Sequence, residues 1–210
     1  MRVLILGATG RVGRHIVADG ILRGCMLTAL VRDPEKLSAF GDRIHILRGD
    51  ALDGTAIANA VAGQDGVIHS LGVSTTRSTT LFSESTRILV AAMHQHGVRR
   101  LIAITGVGAG ETRGHGGFLY DHIIYPLFTK NQYLDKEVQE AIIRNTDLDW
   151  TIVRPAPFRP GAGREEIQVA TNVGNTVLRR VSPAEVARFV LDELAANRYI
   201  HATPFIGHPR

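Results

Sequence analysis

The stretch LILGATGRVGRHIV, residues 4–17, decides the fold of this chain. An apolar run ends directly at Gly7, and Gly10 and Gly13 follow at a spacing of three residues. A glycine-rich turn between a strand and a helix either brings the backbone close to a phosphate or is an ordinary turn. The rest of the sequence has to distinguish these two alternatives.

Short apolar runs alternate with longer helical patterns along most of the chain. Strands that are buried on both faces are apolar throughout, and the runs VLIL and WTIV are of this kind. The alternation predicts an α/β fold of the Rossmann type, with a doubly wound parallel sheet and helices on both faces. The predicted strands are residues 3–6, 27–31, 44–47, 66–70, 101–105 and 150–153, and the predicted helices are residues 11–23, 55–61, 81–96 and 133–145, with a short helix that begins at Pro34.

The sequence changes in character after residue 153. The segment RPAPFRPGAG, residues 154–163, is rich in proline and glycine and is not expected to form regular structure. Short strands are predicted near residues 167–170 and 177–179. Ser182 then predicts a helix N-cap, because Pro183 follows it and a glutamate stands three residues further on.

Chain length and composition fit one domain. The chain has 210 residues, of which 44% are hydrophobic, and this composition is sufficient to bury a core. The C-terminal part is too small to fold alone. We therefore predict a single domain over residues 1–210, in which residues 155–210 form a small cap on the substrate side.

Charge, hydropathy and cysteine content limit the function classes. No run of 18 apolar residues and no signal-peptide pattern is present in the sequence, so no membrane association is expected. Cys25 is the single cysteine, which favours a reducing, cytoplasmic location. The formal net charge is +4, but the basic residues are scattered, so no nucleic-acid partner is expected.

The glycine turn lies in a strand–helix–strand unit of about thirty residues, which is the context of a dinucleotide-binding turn. Gly7 is expected to permit the sharp turn, Gly10 to let a pyrophosphate approach the backbone, and Gly13 to let the helix lie close to the sheet. Amides at the helix start and the helix dipole favour the phosphates. The sequence therefore predicts dinucleotide binding.

The end of the second predicted strand distinguishes NAD from NADP. An acidic residue there binds the ribose hydroxyls of NAD, and an arginine suits the additional phosphate of NADP. In LVRDPEKL, Arg32 comes first and Asp33 follows, where Pro34 makes Asp33 a candidate N-cap. The pattern favours NADP(H). The alternative is that Arg32 and Asp33 form only a surface ion pair.

Several motifs together resemble those of the atypical short-chain dehydrogenases/reductases of the NAD(P)H-binding type. The chain is similar to the biliverdin reductase B and flavin reductase-like proteins and to the NmrA-like proteins of that group. The motifs that carry this resemblance are GATGRVG at residues 7–13, LVRDPEKL at 30–37, VAGQDGVIHSLG at 61–72, SESTRILVAAMHQHGVRRLIAIT at 83–105 and LDWTIVRPAPF at 148–158.

The resemblance implies cofactor contacts at the carboxyl ends of the predicted strands, where ligands bind in open α/β sheets. Leu71, Pro155 and Phe158 have the alternative of being packing residues in loops. The implied contacts are Thr9, Arg11 and Val12 at the pyrophosphate, Asp50 and Ala51 at the adenine, Leu71 and Gly72 along the cofactor, Thr105 near the nicotinamide, and Pro155, Ala156 and Phe158 on its carboxamide side.

The catalytic residues are less clearly marked than the cofactor contacts. Classical members of the superfamily use Tyr-x-x-x-Lys, with the tyrosine as an acid. Here Tyr133 and Lys136 are three residues apart, and Gln132 takes the tyrosine position if Lys136 is the family lysine. Residues three and four apart share a helix face. Thr105, Tyr133 and Lys136 are therefore the candidate catalytic residues, and Lys136 is also a candidate contact of the nicotinamide ribose.

The segment FLYDHIIYPLF, residues 118–128, is a candidate lid helix over the substrate. Tyr120, His122 and Tyr125 are candidate hydrogen-bond donors from this segment, with packing or surface positions as the alternative. No metal site is expected, because His94 and His96 are two residues apart near a helix end and their rings point apart.

These features favour an NADPH-dependent oxidoreductase that transfers a hydride to a small acceptor such as a flavin, a quinone or a carbonyl compound. One alternative is a non-catalytic, NmrA-like NADP(H) sensor that acts through a protein partner, and a second is an isomerase or dehydratase with a tightly bound cofactor. The expected partner of the enzyme is a small-molecule acceptor, and the chain is expected to be a monomer or a homodimer.

Overall fold

The computed structural model describes residues 1–73, 75–161, 163, 166–174 and 176–209, and its centre is an eight-stranded sheet. The strands are β1 (Arg2–Leu6), β2 (Met26–Val31), β3 (His45–Arg48), β4 (Gly66–His69), β5 (Arg100–Ile104), β6 (Asp149–Pro155), β7 (Gln168–Ala170) and β8 (Phe205–Gly207). The α-helices are α1 (Arg11–Leu22), α2 (Gly54–Val61), α3 (Leu81–His96), α4 (Lys130–Arg144) and α5 (Pro183–Ala196).

The order of the strands confirms the predicted doubly wound fold. Across the sheet the order is β3-β2-β1-β4-β5-β6-β8-β7, and all neighbouring strands from β3 to β8 are parallel. Only β7 is antiparallel to its neighbour, β8. The direction of winding reverses between β1 and β4, and ligands of such folds bind at this switch point, outside the carboxyl ends of the strands.

Strand β1 shows how the sheet is buried on both faces. Val3 and Ile5 pack with residues of α1 and α5, whereas Leu4 and Leu6 pack on the opposite face with residues of α2, α3 and α4. All four side chains are fully buried. Because successive side chains of a strand point to opposite faces, a strand between two helical layers has to be apolar throughout, as the sequence predicted.

The structure corrects the predictions most at the C-terminal end. Residues 177–179 do not form a strand; Arg179 makes an isolated bridge to His208, in which its N–H donates to the His208 carbonyl at 2.7 Å. Strand β8 was not predicted, because three residues are too short to show a period. The predicted N-cap is confirmed: the Ser182 hydroxyl accepts from the Glu185 N–H, and the two residues form a capping box.

Other helical predictions change in type or extent. The segment that begins at Pro34 is a 3₁₀ helix, Pro34–Arg43, with a kink at Gly41, where φ is 55°. The helix predicted from residue 133 begins earlier, because α4 continues directly from a π-helical segment, Tyr120–Thr129. The candidate lid is thus helical, as expected. Strands β7 and β8 extend the central sheet, and the role of residues 155–210 as a substrate-side cap stays a prediction.

The glycine turn after β1 fits tightly against the end of β4. Gly7 has a φ of 86°, and a Cβ atom at this position would lie 2.5 Å from the Ser70 carbonyl oxygen. A Cβ on Gly13 would collide with the carbonyl of Gly7. Gly10 has an ordinary φ of −75°. The fold itself therefore requires Gly7 and Gly13.

Gly7→Ala should destabilise the protein by more than its backbone angle alone explains. Gly24 is the matched control, because its φ is 71° but no described atom lies within 4 Å of the added Cβ. We expect a loss of about 1 kcal/mol for Gly24→Ala and at least about 3 kcal/mol for Gly7→Ala, measured by urea denaturation. Equal losses for the two variants would contradict the close approach of Gly7 to Ser70.

Candidate cofactor and substrate site

The start of α1 is built to receive an anion. Gly10 is its N-cap, and among the described residues no side chain caps the helix and no acidic residue stands in its first turn. The N–H groups of a first helical turn have no partners within the helix, and the helix dipole adds positive potential there. With no side chain on Gly7, Gly10 or Gly13 in the way, this turn fits the pyrophosphate of a dinucleotide.

The three pyrophosphate candidates differ in what they present. Val12 is buried in the core, so only its backbone faces the turn. The Thr9 carbonyl accepts a hydrogen bond from Nε of Arg14 at 3.1 Å. The guanidinium of Arg11 is exposed and lies 5.3 Å from the centre of the Phe158 ring. This contact brings the glycine turn next to the segment that follows β6.

Arg32 directly follows the carboxyl end of β2, at the start of the loop that leads to the 3₁₀ helix. Its side chain is exposed. Asp33 is the N-cap of the 3₁₀ helix by position, but its side chain makes no capping hydrogen bond. The carboxylate instead pairs with Lys36 at 3.3 Å. The alternative of an Arg32–Asp33 ion pair is therefore not what the structure shows.

Asp50 and Ala51 follow β3 and lie beside this loop. The N–H of Gly49 donates to the carbonyl of Val31 at 3.0 Å, which holds the two strand ends together. The Asp50 carboxylate accepts the N–H of Leu52 at 2.9 Å and so closes its own turn. Asp50 and Ala51 are partly buried. The structure therefore brings both residues to the same edge as Arg32.

The remaining implied contacts lie at the same edge but differ in exposure. Leu71 is partly buried and Gly72 is exposed just after β4. Pro155 and Ala156 are buried, and their backbone groups complete the sheet: the Pro155 carbonyl accepts from the Val107 N–H at 3.0 Å, and the Ala156 N–H donates to Ile206 at 2.8 Å. Because these backbone groups are already hydrogen-bonded within the protein, Pro155 and Ala156 can contact a ligand only through their remaining backbone and side-chain atoms.

Thr105 lies beneath the carboxyl end of β5 and is bonded inward. Its hydroxyl donates to Oε1 of Glu140 at 2.7 Å. The other oxygen of Glu140 accepts from Nη2 of Arg154 at 2.6 Å, and the Arg154 side chain is fully buried. Arg144, which is partly exposed, adds a longer contact at 3.3 Å. This buried ion pair connects α4 to β5 and β6.

Lys136 is also turned toward the protein. Its ammonium donates to the carbonyl of Ile104 at 3.0 Å and lies 4.3 Å from the centre of the Phe82 ring. Burial lowers the pKa of Lys136 to about 8, although the charges of Glu140 and Asp135 act in the opposite direction. Near neutral pH the ammonium is therefore held close to its deprotonation range.

Tyr133 faces the loop that follows Thr105. A Cβ atom on Gly106 would lie 2.5 Å from its hydroxyl oxygen, so glycine at this position makes room for the tyrosine. The Tyr120 hydroxyl donates to the Tyr133 hydroxyl at 3.0 Å. Burial raises the pKa of Tyr133 well above its ordinary value. The side-chain amide of Gln132 donates to the Thr75 carbonyl at 2.6 Å.

The other candidates of the lid segment have local partners. Nδ1 of His122 lies 3.0 Å from the carbonyl of Phe118, one turn earlier. The Tyr125 ring packs against the Tyr133 ring in a tilted arrangement, with ring centres 5.8 Å apart. On α3, the exposed His94 pairs with Asp147 at 3.0 Å. Within the described ranges no group of three or more potential metal ligands is found.

A second buried polar group lies between α3, α4 and β4. Gln139 donates to Nδ1 of His69 at 3.1 Å, so that Nε2 of the ring carries the proton and faces the Ser85 hydroxyl at 3.0 Å. Burial, followed by the charge of Lys136, lowers the pKa of His69 to about 3. Its imidazole is neutral and structural at physiological pH.

Sequence reasoning missed the charged residues that position α4. Asp135 accepts the Phe82 N–H at 2.8 Å and so caps the start of α3 from a neighbouring helix. Glu140 and Arg154 hold the other end of the site. The one available indication was Arg154, a charge that directly follows the apolar run WTIV in β6, since a buried charge needs a partner.

A cleft of about 860 Å³ lies beside the edge of the sheet that carries the candidate cofactor contacts. Its walls come from the loop before the π-helical segment, from the chain after β6 and from the stretch that pairs with the end of β8. The lining residues are Gly116, Gly117, Phe118, Arg159, Glu166, Val177, Leu178, Arg179, Arg180, His208 and Pro209.

Comparison with known proteins identifies the family. The sequence matches the NAD(P)H-binding family over residues 7–197. It is 36% identical to a 3-diazoavenalumate denitrifying reductase of Streptomyces sp. over 78% of this chain and 58% of that protein. It is 27% identical to the photosystem II assembly factor Ycf39 of Synechocystis sp., covering 99% of this chain and 63% of that protein. The chain thus spans less than two thirds of the length of these two relatives.

A solved structure shares the fold over the whole chain. An anaerobillin reductase from Escherichia coli O157:H7, ChuY, is 19% identical and superposes with a TM-score of 0.83, covering 100% of this chain and 98% of that one. This chain belongs to the NAD(P)H-binding family. Two of the proteins it is similar to, those from Streptomyces and Escherichia coli, are named as reductases.

Among the helices in the described part of the chain, none is both long enough and apolar enough to span a bilayer.

Glu140→Gln should destabilise the protein by about 3–5 kcal/mol, because it leaves the buried guanidinium of Arg154 without a charged partner. Glu84→Gln is the control: its pair with Arg87 has a similar separation, 2.8 Å against 2.6 Å, but both side chains are half exposed. That variant should lose less than about 1 kcal/mol. Urea denaturation measures both, and a loss below about 1 kcal/mol for Glu140→Gln would refute the buried pair.

Proposed function

We propose that the protein is an NADPH-dependent reductase that transfers a hydride to a small acceptor, namely a flavin, a quinone or a carbonyl compound. When bound, the reduced nicotinamide supplies the hydride with its two electrons. One proton from the protein or solvent completes reduction of the acceptor. The observation that carries the proposal is the uncapped start of α1, which lies at the carboxyl edge of a doubly wound sheet.

Three features of the chain's own residues support binding of NADP(H) at this edge. The glycine turn leaves room for the pyrophosphate, as described above. Arg32 is exposed at the end of β2, and its nearest acidic neighbour in sequence, Asp33, is paired with Lys36. A guanidinium in this position suits the 2′-phosphate of NADP through two parallel hydrogen bonds. Asp50 and Ala51 are proposed to border the adenine.

The position of the cleft supports a substrate site. The contact between Arg11 and Phe158 links the start of α1 to the segment that leads into Arg159, one of the cleft residues. A cofactor that runs from the glycine turn toward β5 would reach Thr105 and Leu71 and then the cleft. The acceptor would bind where the lid segment and the C-terminal strands meet.

The three candidate catalytic residues differ in the partners of their polar groups. Thr105 and Lys136 are bonded to Glu140 and Ile104. We assign Lys136 and Thr105 to positioning and to the electrostatics near the nicotinamide. Tyr133, with the hydroxyl of Tyr120 bonded to it, is the group closest in kind to the family acid. Acceptors such as flavins and quinones do not demand a strong protein acid.

The inward bonding of Thr105 and Lys136 also favours a second candidate function. A protein that binds NADP(H) and signals to a partner needs the same glycine turn but no proton donor. The cleft favours the reductase over the sensor, because a sensor has no need for a pocket of about 860 Å³ next to the proposed cofactor site.

Turnover separates the reductase from the sensor. Purified protein mixed with NADPH and, in turn, FMN, a quinone, biliverdin or an aldehyde should consume reduced nicotinamide with at least one acceptor, followed by its absorbance. A reaction without acceptor corrects for oxidation by air. Tight NADPH binding without turnover on any acceptor would favour the sensor and refute the reductase.

Arg32→Ala should reduce the preference for NADPH over NADH by roughly tenfold, since it removes a charge-assisted contact to the 2′-phosphate. Dissociation constants for NADPH and NADH, measured by fluorescence, give this ratio. Arg87→Ala, on α3, is the control and should leave the ratio unchanged. An unchanged ratio in Arg32→Ala would exclude the assigned role of Arg32.

A further inference from the structure

We infer that the acceptor is an amphipathic anion: a flat apolar molecule with a carboxylate that Arg179 and Arg180 bind in the cleft. This inference rests on the proposed reductase function and specifies the substrate class of that same site. Three observations support it, namely the position of the cleft, its distribution of charge and its apolar wall.

The cleft lies at the edge where a hydride would be delivered. Arg159 follows β6, and its N–H donates to the Val181 carbonyl at 3.0 Å, which places it beside the start of α5. His208 follows the parallel strand β8 and bridges to Arg179. Gly116 and Phe118 belong to the segment after β5. Three walls of the cleft therefore come from chain that leaves the carboxyl ends of β5, β6 and β8, and the remaining lining residues flank β7.

The basic residues that line the cleft differ in whether a carboxylate lies next to them. Arg159 donates to the buried carboxylate of Glu185 at 3.3 Å, and His208 lies 3.1 Å from the same oxygen. Burial by itself raises the pKa of Glu185, but hydrogen bonds from Ser182 overcome this and lower it, so the carboxylate is ionised and can offset Arg159.

Arg179 and Arg180 differ from Arg159 in this respect. Both side chains are exposed, and within the described ranges neither forms an ion pair. Glu166 is the one carboxylate among the described lining residues. Two guanidinium groups and one carboxylate leave this part of the lining with a net positive charge. A guanidinium binds a carboxylate through two parallel hydrogen bonds, which is the geometry that these arginines can offer an acceptor.

Part of the cleft lining is apolar. Phe118 is 78% exposed and Val177 is 38% exposed, although both are large hydrophobic residues. Leu178 and Pro209 continue this surface. An exposed phenylalanine beside arginines fits a ligand with an apolar ring system and a charged end, and a cleft of about 860 Å³ is large enough for several fused rings.

The test compares a carboxylated acceptor with its neutral ester. Anthraquinone-2-carboxylate and its methyl ester share the reducible quinone, and differ in the charge at one end. The double variant Arg179→Ala/Arg180→Ala should raise the KM for the carboxylate by roughly tenfold or more and change the KM for the ester by less than about twofold. Arg87→Ala is the matched control for loss of a surface arginine and should change neither KM.

A binding measurement keeps this inference separate from the reductase proposal. Calorimetric titration of anthraquinone-2-carboxylate into protein saturated with NADP⁺ should give a Kd that rises by roughly tenfold in the double variant. If binding behaves in this way but no acceptor is reduced, the reductase proposal fails and the anion site stands.

Two results would overturn the anion site. One is equal affinity of the unsubstituted protein for the carboxylate and the ester, or of the double variant and the unsubstituted protein for the carboxylate. The other is a weaker NADPH affinity in the double variant, because the two arginines would then serve the cofactor phosphates and not the acceptor.

Discussion

The carboxylate of Glu140 is the constraint on which the geometry of the site depends. It holds the hydroxyl of Thr105 and the guanidinium of Arg154, and both partners are buried. Desolvated charges are tolerated only when they are paired and hydrogen-bonded. Helix α4 is thereby fixed against the ends of β5 and β6, and its other polar residues take their places from this attachment.

The consequences follow along α4. Asp135, one turn before Gln139, reaches across to cap the start of α3, so the two helices are joined by a charged hydrogen bond as well as by packing. Lys136 is drawn under the end of β5, where its ammonium meets the Ile104 carbonyl. Thr105 and Lys136, which the family resemblance places near the nicotinamide, are thus both committed to internal hydrogen bonds. Chemistry at such a site depends chiefly on what the cofactor and the acceptor bring.

The carboxyl edge of the sheet gains its shape from two parts that are far apart in sequence. The glycine turn after β1 provides amides for an anion, and the segment after β6 crosses to it through the contact of Arg11 with Phe158. Strand β8 continues the sheet beyond β6, and β7 closes it in the opposite direction. The segments that flank these two strands line the cleft with the exposed residues Val177, Arg179 and Arg180.

Local sequence patterns predicted the positions of the first six strands along the chain, the glycine turn, the N-cap at Ser182 and the family. These depend on local information: apolar runs, glycines with fixed spacing and capping residues are legible without the rest of the chain. The tertiary structure alone decided that Lys136 and Thr105 are bonded inward, that Asp33 pairs with Lys36, and that Arg179 stands in a cleft. The reason is physical: side-chain partners such as Glu140 and Arg154, or Asp135 and the start of α3, are set by packing between distant elements, and no spacing along the chain encodes them. Strand β8 belongs to the same group, because three residues become a strand only when β6 offers them an edge.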